Sequence, residues 1–235
     1  MDNGLKDSIR AEADNRFAKG KIDLMLYYAL ILIASCMPIG INRILKLTLA
    51  RLSEGFSGIV EASLHCALSI FVIGPLMVGL VRGILDLRNG DSAKNCVFYA
   101  FDDSRYMRVV RAVALYGIIG SVPELLDCIS GFIGLDIMKW IVFMTSLGIA
   151  FVTVFMLTFV YQIIAEDIDI SPTDACLKSI KLMTGKKKAL FDLILSYWLP
   201  ILIVIVTVGL GLIYAAPLML CAVTCYYERL RVEAA

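Results

Sequence analysis

Histidine and charge are the scarce features of this sequence. Its 235 residues include one histidine, His65. That leaves too few ligands for most zinc sites and argues against catalysis of the Ser-His-Asp kind. Charged residues make up 18% of the chain and hydrophobic residues 60%, against about 25% and 45–50% in ordinary soluble domains. Too little polar surface remains to cover a water-soluble globule, and disorder needs the opposite composition. Neither charge sign is in excess: Lys+Arg is 22, Asp+Glu is 21, and the net charge is +1. A nucleic-acid binder carries a strong basic excess, so no nucleic acid is expected as a partner. The seven cysteines (36, 66, 96, 128, 176, 221 and 225) form no C-x-x-C pair and are odd in number. They read as small apolar packing residues rather than a disulfide framework. No G-x-S-x-G, H-E-x-x-H or G-x-x-x-x-G-K-[ST] pattern occurs, so no catalytic residue, cofactor or metal is expected.

What the sequence does have is long apolar runs, with a mean hydropathy of +0.83. A membrane-spanning helix needs about 20 such residues, because the hydrocarbon core is ~30 Å thick. The expected spans are 22–41, 62–84, 108–129, 140–165, 190–208 and 212–228. The last two come from one run, Leu193–Tyr227, which is too long for one span. Gly209-Leu210-Gly211 near its middle supplies a turn. The whole chain, 1–235, thus reads as a single polytopic all-α membrane domain with six transmembrane helices. The Ile33-Ala34-Ser35-Cys36 stretch resembles a lipoprotein cleavage box. A long, partly acidic segment precedes it and apolar sequence follows, so it reads as an uncleaved anchor.

Lysine and arginine set the orientation. With both termini cytoplasmic, only Arg43, Lys46, Arg51 and Lys139 fall outside, and the other 18 cationic residues fall inside. An odd number of spans would spoil this asymmetry.

Amphipathic helices are expected at 5–19 and 172–184, lying at the inner membrane face. The first presents Leu5, Ile9, Ala13 and Phe17 as a stripe. The second starts at Ser171-Pro172-Thr173-Asp174, a capping serine followed by proline at the first helical position, and stops at Gly185. A third could precede the span at 108–129, around 93–101. These segments suggest a threefold internal repeat of one inner-face helix plus two spans. Gly20-Lys21 leads into Asp23-Leu24-Met25-Leu26-Tyr27-Tyr28-Ala29-Leu30. Gly185-Lys186 leads into Asp192-Leu193-Ile194-Leu195-Ser196-Tyr197-Trp198-Leu199. Both fit D-L-x-L-x-Y-x-L, and Pro75-Leu76-Met77 matches Pro217-Leu218-Met219, while the middle copy matches poorly.

Several stretches resemble a bacterial membrane family, the one called domain of unknown function 975. They are Ile9-Arg10-Ala11-Glu12-Ala13, then Pro75-Leu76 with Gly79 and Leu80. A third is Ala165-Glu166-Asp167 with Ala175, Ser179, Leu182-Met183, Gly185 and Leu190-Phe191. The fourth is Gly209 and Gly211 with Pro217 and Tyr226-Tyr227. The resemblance covers nearly the whole chain. It implies a six-span protein of the bacterial inner (plasma) membrane, and carries no agreed activity and no catalytic residues.

Among individual residues, Glu61, Glu124 and Asp127 are the acids nearest the membrane interior. They are candidates for an ion or substrate path, set against a plain position at span ends. Asp23 and Asp192 occupy matched places in the repeat and read as caps of span starts rather than gating groups. Pro75 and Pro217 are candidates for helix kinks, which in transporters build substrate sites and elsewhere are ordinary bends. Lys186, Lys187 and Lys188 are candidates for contact with anionic lipid, a role compatible with setting topology. Arg43, Lys46 and Arg51 lie in an apolar-basic stretch that could rest on the outer face. His65-Cys66 reads as packing.

The functional expectation is a non-enzymatic inner-membrane protein that binds lipid or an amphipathic peptide, or serves a transport or immunity system. Its partners would be membrane lipids and another membrane protein or a peptide. The alternative is a small secondary transporter using kinked spans 2 and 6. A membrane-embedded enzyme ranks last.

Overall fold

In lipid a chain satisfies its backbone only by pairing each N–H and C=O internally, which favours helix. The computed structural model describes residues 3–48, 54–91, 93, 98–133, 136–207 and 209–234, and no strand occurs among them. The helices are α1 (Asn3–Thr48), α2 (Glu54–Leu68), α3 (Gly74–Arg88), α4 (Tyr106–Ile133) and α5 (Asp136–Met156). They continue with α6 (Val160–Glu166), α7 (Pro172–Met183), α8 (Lys187–Ser196), α9 (Trp198–Val206) and α10 (Leu212–Ala234). A π-helical segment, Ser69–Ile73, joins α2 to α3.

Two helical stretches are long and apolar enough to cross a membrane, Gly4–Pro38 and Ala62–Arg88. A third qualifies if α8 and α9 are one span, bent by 59° between Ser196 and Trp198. The protein is therefore all-helical, with two or three helices able to span a membrane. Trp140–Phe151 is a shorter apolar helix.

The pattern along α1 shows what surrounds it. Ile9, Ala13, Phe17, Leu24, Tyr27, Ile31 and Ala34 are buried at spacings of three, four or seven residues. The opposite face exposes Ile22, Leu26, Leu30, Ile33, Met37, Ile41 and Ile44. Leaving such a side chain in water forfeits about 1.5–3 kcal/mol of burial, whereas lipid is as apolar as the residue. Its buried face packs most extensively on α10, and also on α3 and α2.

The expected inner helix 5–19 and the span 22–41 are continuous in α1, but Gly20 between them is non-helical (φ −113°, ψ 17°). A Cβ at Gly20 would stand 2.7 Å from Leu87 Cδ1, so glycine is what lets α1 and α3 approach here. The helix expected at 172–184 forms as α7. Ser171 Oγ accepts from the Asp174 amide at 3.1 Å, and Gly185 follows in the left-handed region (φ +78°). The turn expected at 209–211 is also present, with Gly209 at φ +93° and the Gly211 amide donating to Thr207 Oγ1 at 2.7 Å. Of the helix expected around 93–101, Tyr99–Phe101 forms a 3-10 turn, and Ser92 and residues 94–97 lie outside the described residues.

Three features differ from uninterrupted spans. The run 140–165 breaks at Leu157–Phe159 into α5 and α6. The Val160 amide bonds the Leu157 carbonyl instead of that of Met156. Ser179 of α7 takes up both ends of the break, donating to the Met156 carbonyl (2.9 Å) and accepting from the Phe159 amide (3.2 Å). Residues 190–208 form the bent pair α8–α9 rather than one straight helix. In the run 62–84, Pro75 follows the π-helical segment. Proline has no N–H to offer the Phe71 carbonyl one turn earlier, and the Tyr106 hydroxyl donates to that carbonyl at 2.9 Å. Pro217, by contrast, sits within α10, which stays helical through it.

Ser179 is fully buried, so its loss strands two backbone groups. Ser179→Ala is expected to lower stability by about 1–3 kcal/mol, read from chemical unfolding in mild detergent. An unchanged midpoint would show that the break at 157–159 is held by something else.

An ion network where the two chain ends meet

The two ends of the chain come together at one end of the bundle. α1 brings Glu12 and Arg16 there on successive turns, and the last turns of α10 bring Tyr227, Glu228, Arg229 and Arg231. Arg16 lies within the buried stripe between Ala13 and Phe17 and is only 4% exposed. Its guanidinium grips Glu228 with two nitrogens, Nη2–Oε2 at 2.6 Å and Nη1–Oε1 at 3.2 Å. Nη2 also reaches Glu12 Oε1 at 2.5 Å. Arg229 Nη2 holds the other Glu12 oxygen at 3.5 Å, and Arg88 of α3 approaches Glu228 Oε1 at 3.5 Å.

A second cluster adjoins the first. Glu166, at the end of α6, accepts from Tyr227 Oη at 2.7 Å and pairs with Arg231 Nη1 at 2.6 Å. Arg82 of α3 pairs with Asp86 at 3.1 Å and donates to the Ala165 carbonyl at 3.3 Å. Its guanidinium also lies over the Tyr99 ring, 5.5 Å from the centroid, and Arg105 lies over the same ring at 4.7 Å. Between Arg82, Asp86, Arg88, Glu166 and Glu228 is a cleft of about 150 Å³. Another, of about 520 Å³, is lined by Lys19, Gly20, Asp23, Leu87 and Asp91.

Electrostatically the network is close to self-neutral. Glu12, Asp86, Glu166 and Glu228 each face at least one guanidinium. Arginine cannot give up its proton, so a buried Arg16 is stable only with carboxylates in contact. Glu12 is held by Arg16 at one carboxylate oxygen and by Arg229 at the other. The chemistry on offer is cross-linking: α1, α3, α6 and α10 are tied together at one end.

The residues singled out from sequence fall elsewhere. Glu61 lies on α2 and Glu124 and Asp127 on α4, and their side chains are outside the described residues. So are the side chains of Lys46, Arg51 and Lys139. Asp23 lines the larger cleft. Asp192 is half-buried on α8 and His65 half-buried on α2. Lys186 pairs with Glu233 at 2.9 Å, while Lys187 and Lys188 are exposed on the first turn of α8. Sequence reasoning missed Arg16, Glu166 and Glu228 as a unit. The available signal was the i,i+4 spacing of Glu12 and Arg16 with Arg16 inside an apolar stripe.

The molecule is thus an all-helical protein with membrane-length helices and an ion-paired end. No family model, no curated protein and no solved structure matches this chain.

Removing one partner of a buried pair leaves an uncompensated charge. Arg16→Met is therefore expected to cost about 3–5 kcal/mol, and the double variant Arg16→Met with Glu228→Met less than the single one. Unfolding midpoints in mild detergent check this, and a double variant worse than the single would contradict it.

Proposed function

We propose that this protein is a six-span component of a bacterial plasma membrane with both termini in the cytoplasm. It has no catalytic activity of its own. It binds membrane lipid or an amphipathic peptide, or serves as accessory to a transport or immunity system. One observation carries this reading. The carboxylates that gather at the charged end are bound up with guanidiniums, while the outward faces of α1, α5 and α9 are apolar. A protein built this way has its polar groups committed to its own architecture and offers the membrane its recognition surface.

The Glu12–Arg229 contact supports an even number of crossings, because it joins the first and last helices at one end. Breaks at Gly20 and Gly185, each just ahead of an apolar helix, support the repeated unit. The resemblance to the bacterial family belongs to this same reading.

A transporter is the second reading, and it is favoured by the π-helical segment before Pro75 and the 59° bend at Tyr197. Interrupted helices free backbone groups that can coordinate substrates.

Native mass spectrometry of the protein in mild detergent separates these readings. A retained lipid or peptide of defined mass is the expected result, and a stoichiometric second protein would mark an accessory subunit. A bare monomer that moves solute in reconstituted vesicles would replace the binding reading with the transporter. Tags at both termini should be accessible only from the cytoplasm, and one tag outside would overturn the six-span topology.

A further inference from the structure

α8 carries a surface that the ion network does not use. On α8 the exposed residues are Lys187, Lys188, Phe191 and Leu195. At about 3.6 residues per turn these fall on one face. Past the bend, exposure continues through Trp198 (61%), Leu199 and Leu202. On α8 two ammonium groups thus lead into apolar surface, and α9 carries further exposed apolar side chains past the 59° bend.

α7, which precedes α8 in the chain, carries a similar pattern. Leu177, 63% exposed, is flanked by exposed Lys178 and Lys181. α5 widens the apolar part: Phe155 lies 6.4 Å from Phe191 by ring centroids, and Phe151 lies against Phe155 at 4.6 Å. The charges are available. Among the described residues no carboxylate pairs with Lys181, Lys187 or Lys188, and the one acid of α8, Asp192, is half-buried. Lys186 is different, because Glu233 neutralises it at 2.9 Å.

We propose that this surface is a binding site for one anionic phospholipid. Lys187 and Lys188 hold the phosphate headgroup, and Phe191, Leu195 and, past the bend, Leu199 line the acyl chains. This proposal rests on the lipid-binding reading above and names its site and ligand class. The layout of this surface decides for a lipid over a peptide. Positive charge is confined to the first turn of α8 and the rest of its exposed face is apolar, which is the profile of a phospholipid. An amphipathic peptide lying in the interface would need polar partners along its whole length. Lys186, paired with Glu233, drops out of the expected lysine trio.

Trp198 lies on the proposed acyl track and reports on it. In full-length protein carrying Trp140→Phe, its fluorescence is quenched by phosphatidylglycerol or phosphatidylcholine with brominated chains. The expected result is half-quenching by brominated phosphatidylglycerol at a lipid fraction at least tenfold lower than for brominated phosphatidylcholine. Each lysine near an anionic headgroup contributes about fivefold. Replacing Lys187 and Lys188 by glutamine should abolish the preference, Lys186→Gln should leave it, and high salt should weaken it. Equal quenching by the two lipids, or a preference that survives the double replacement, overturns the site. So does displacement by an acidic peptide but not by unlabelled phosphatidylglycerol. If native spectra retain phosphatidylglycerol while Trp198 shows no preference, this site fails and the lipid-binding reading stands. If nothing is retained, that reading fails with it.

Discussion

The guanidinium of Arg16 joins the first helix to the last. It lies within an otherwise apolar stripe and is held by Glu228, 212 residues away in sequence, and by Glu12 one turn before it. A buried charge of this kind is tolerated only when its partners are in place, so α1 cannot dock on α10 in another register without stranding it. The pairing brings the two chain ends together. α3 and α6 then complete the charged end through Arg88, Arg82 and the Glu166–Tyr227–Arg231 group. Attraction between helices from apolar packing alone is weak in lipid, where the solvent is as apolar as the side chains. An ion network gives the bundle the specificity that such packing lacks.

Backbone continuity follows the same logic. Where a helix is interrupted, a side chain from elsewhere replaces the missing bond. Ser179 serves the break at 157–159, Tyr106 the Phe71 carbonyl ahead of Pro75, and Thr207 the Gly211 amide at the α9–α10 turn. Such breaks are acceptable at membrane depth because the surrounding protein satisfies them. They give the bundle shapes that straight helices cannot, including the bend that turns α9 away from α8.

With its charged end self-neutralised, the protein meets its surroundings mainly through apolar helix faces bordered by lysines. The faces on α1, α5 and α8–α9 are large and contain aliphatic and aromatic side chains together. Such faces are suited to apolar surroundings, and lipid binding is proposed on that ground.

Composition and local pattern by themselves determined that the chain is helical and membrane-length in part. They also determined that Ser171-Pro172 starts a helix and that Gly185 and Gly209 interrupt one. These are local matters: apolar run length, a capping hydroxyl and the backbone freedom of glycine act within a few residues. The break inside 140–165 was not legible, because a uniformly apolar run has no periodicity that changes at Leu157. Nor was the role of Arg16, Glu166 and Glu228, since as sequence they are single charges at the ends of apolar segments. Only the tertiary structure decided which of them meet, because Coulomb attraction and hydrogen bonding depend on distance in space. It likewise separated Lys186, tied to Glu233, from Lys187 and Lys188, which are adjacent in sequence and open to the surroundings.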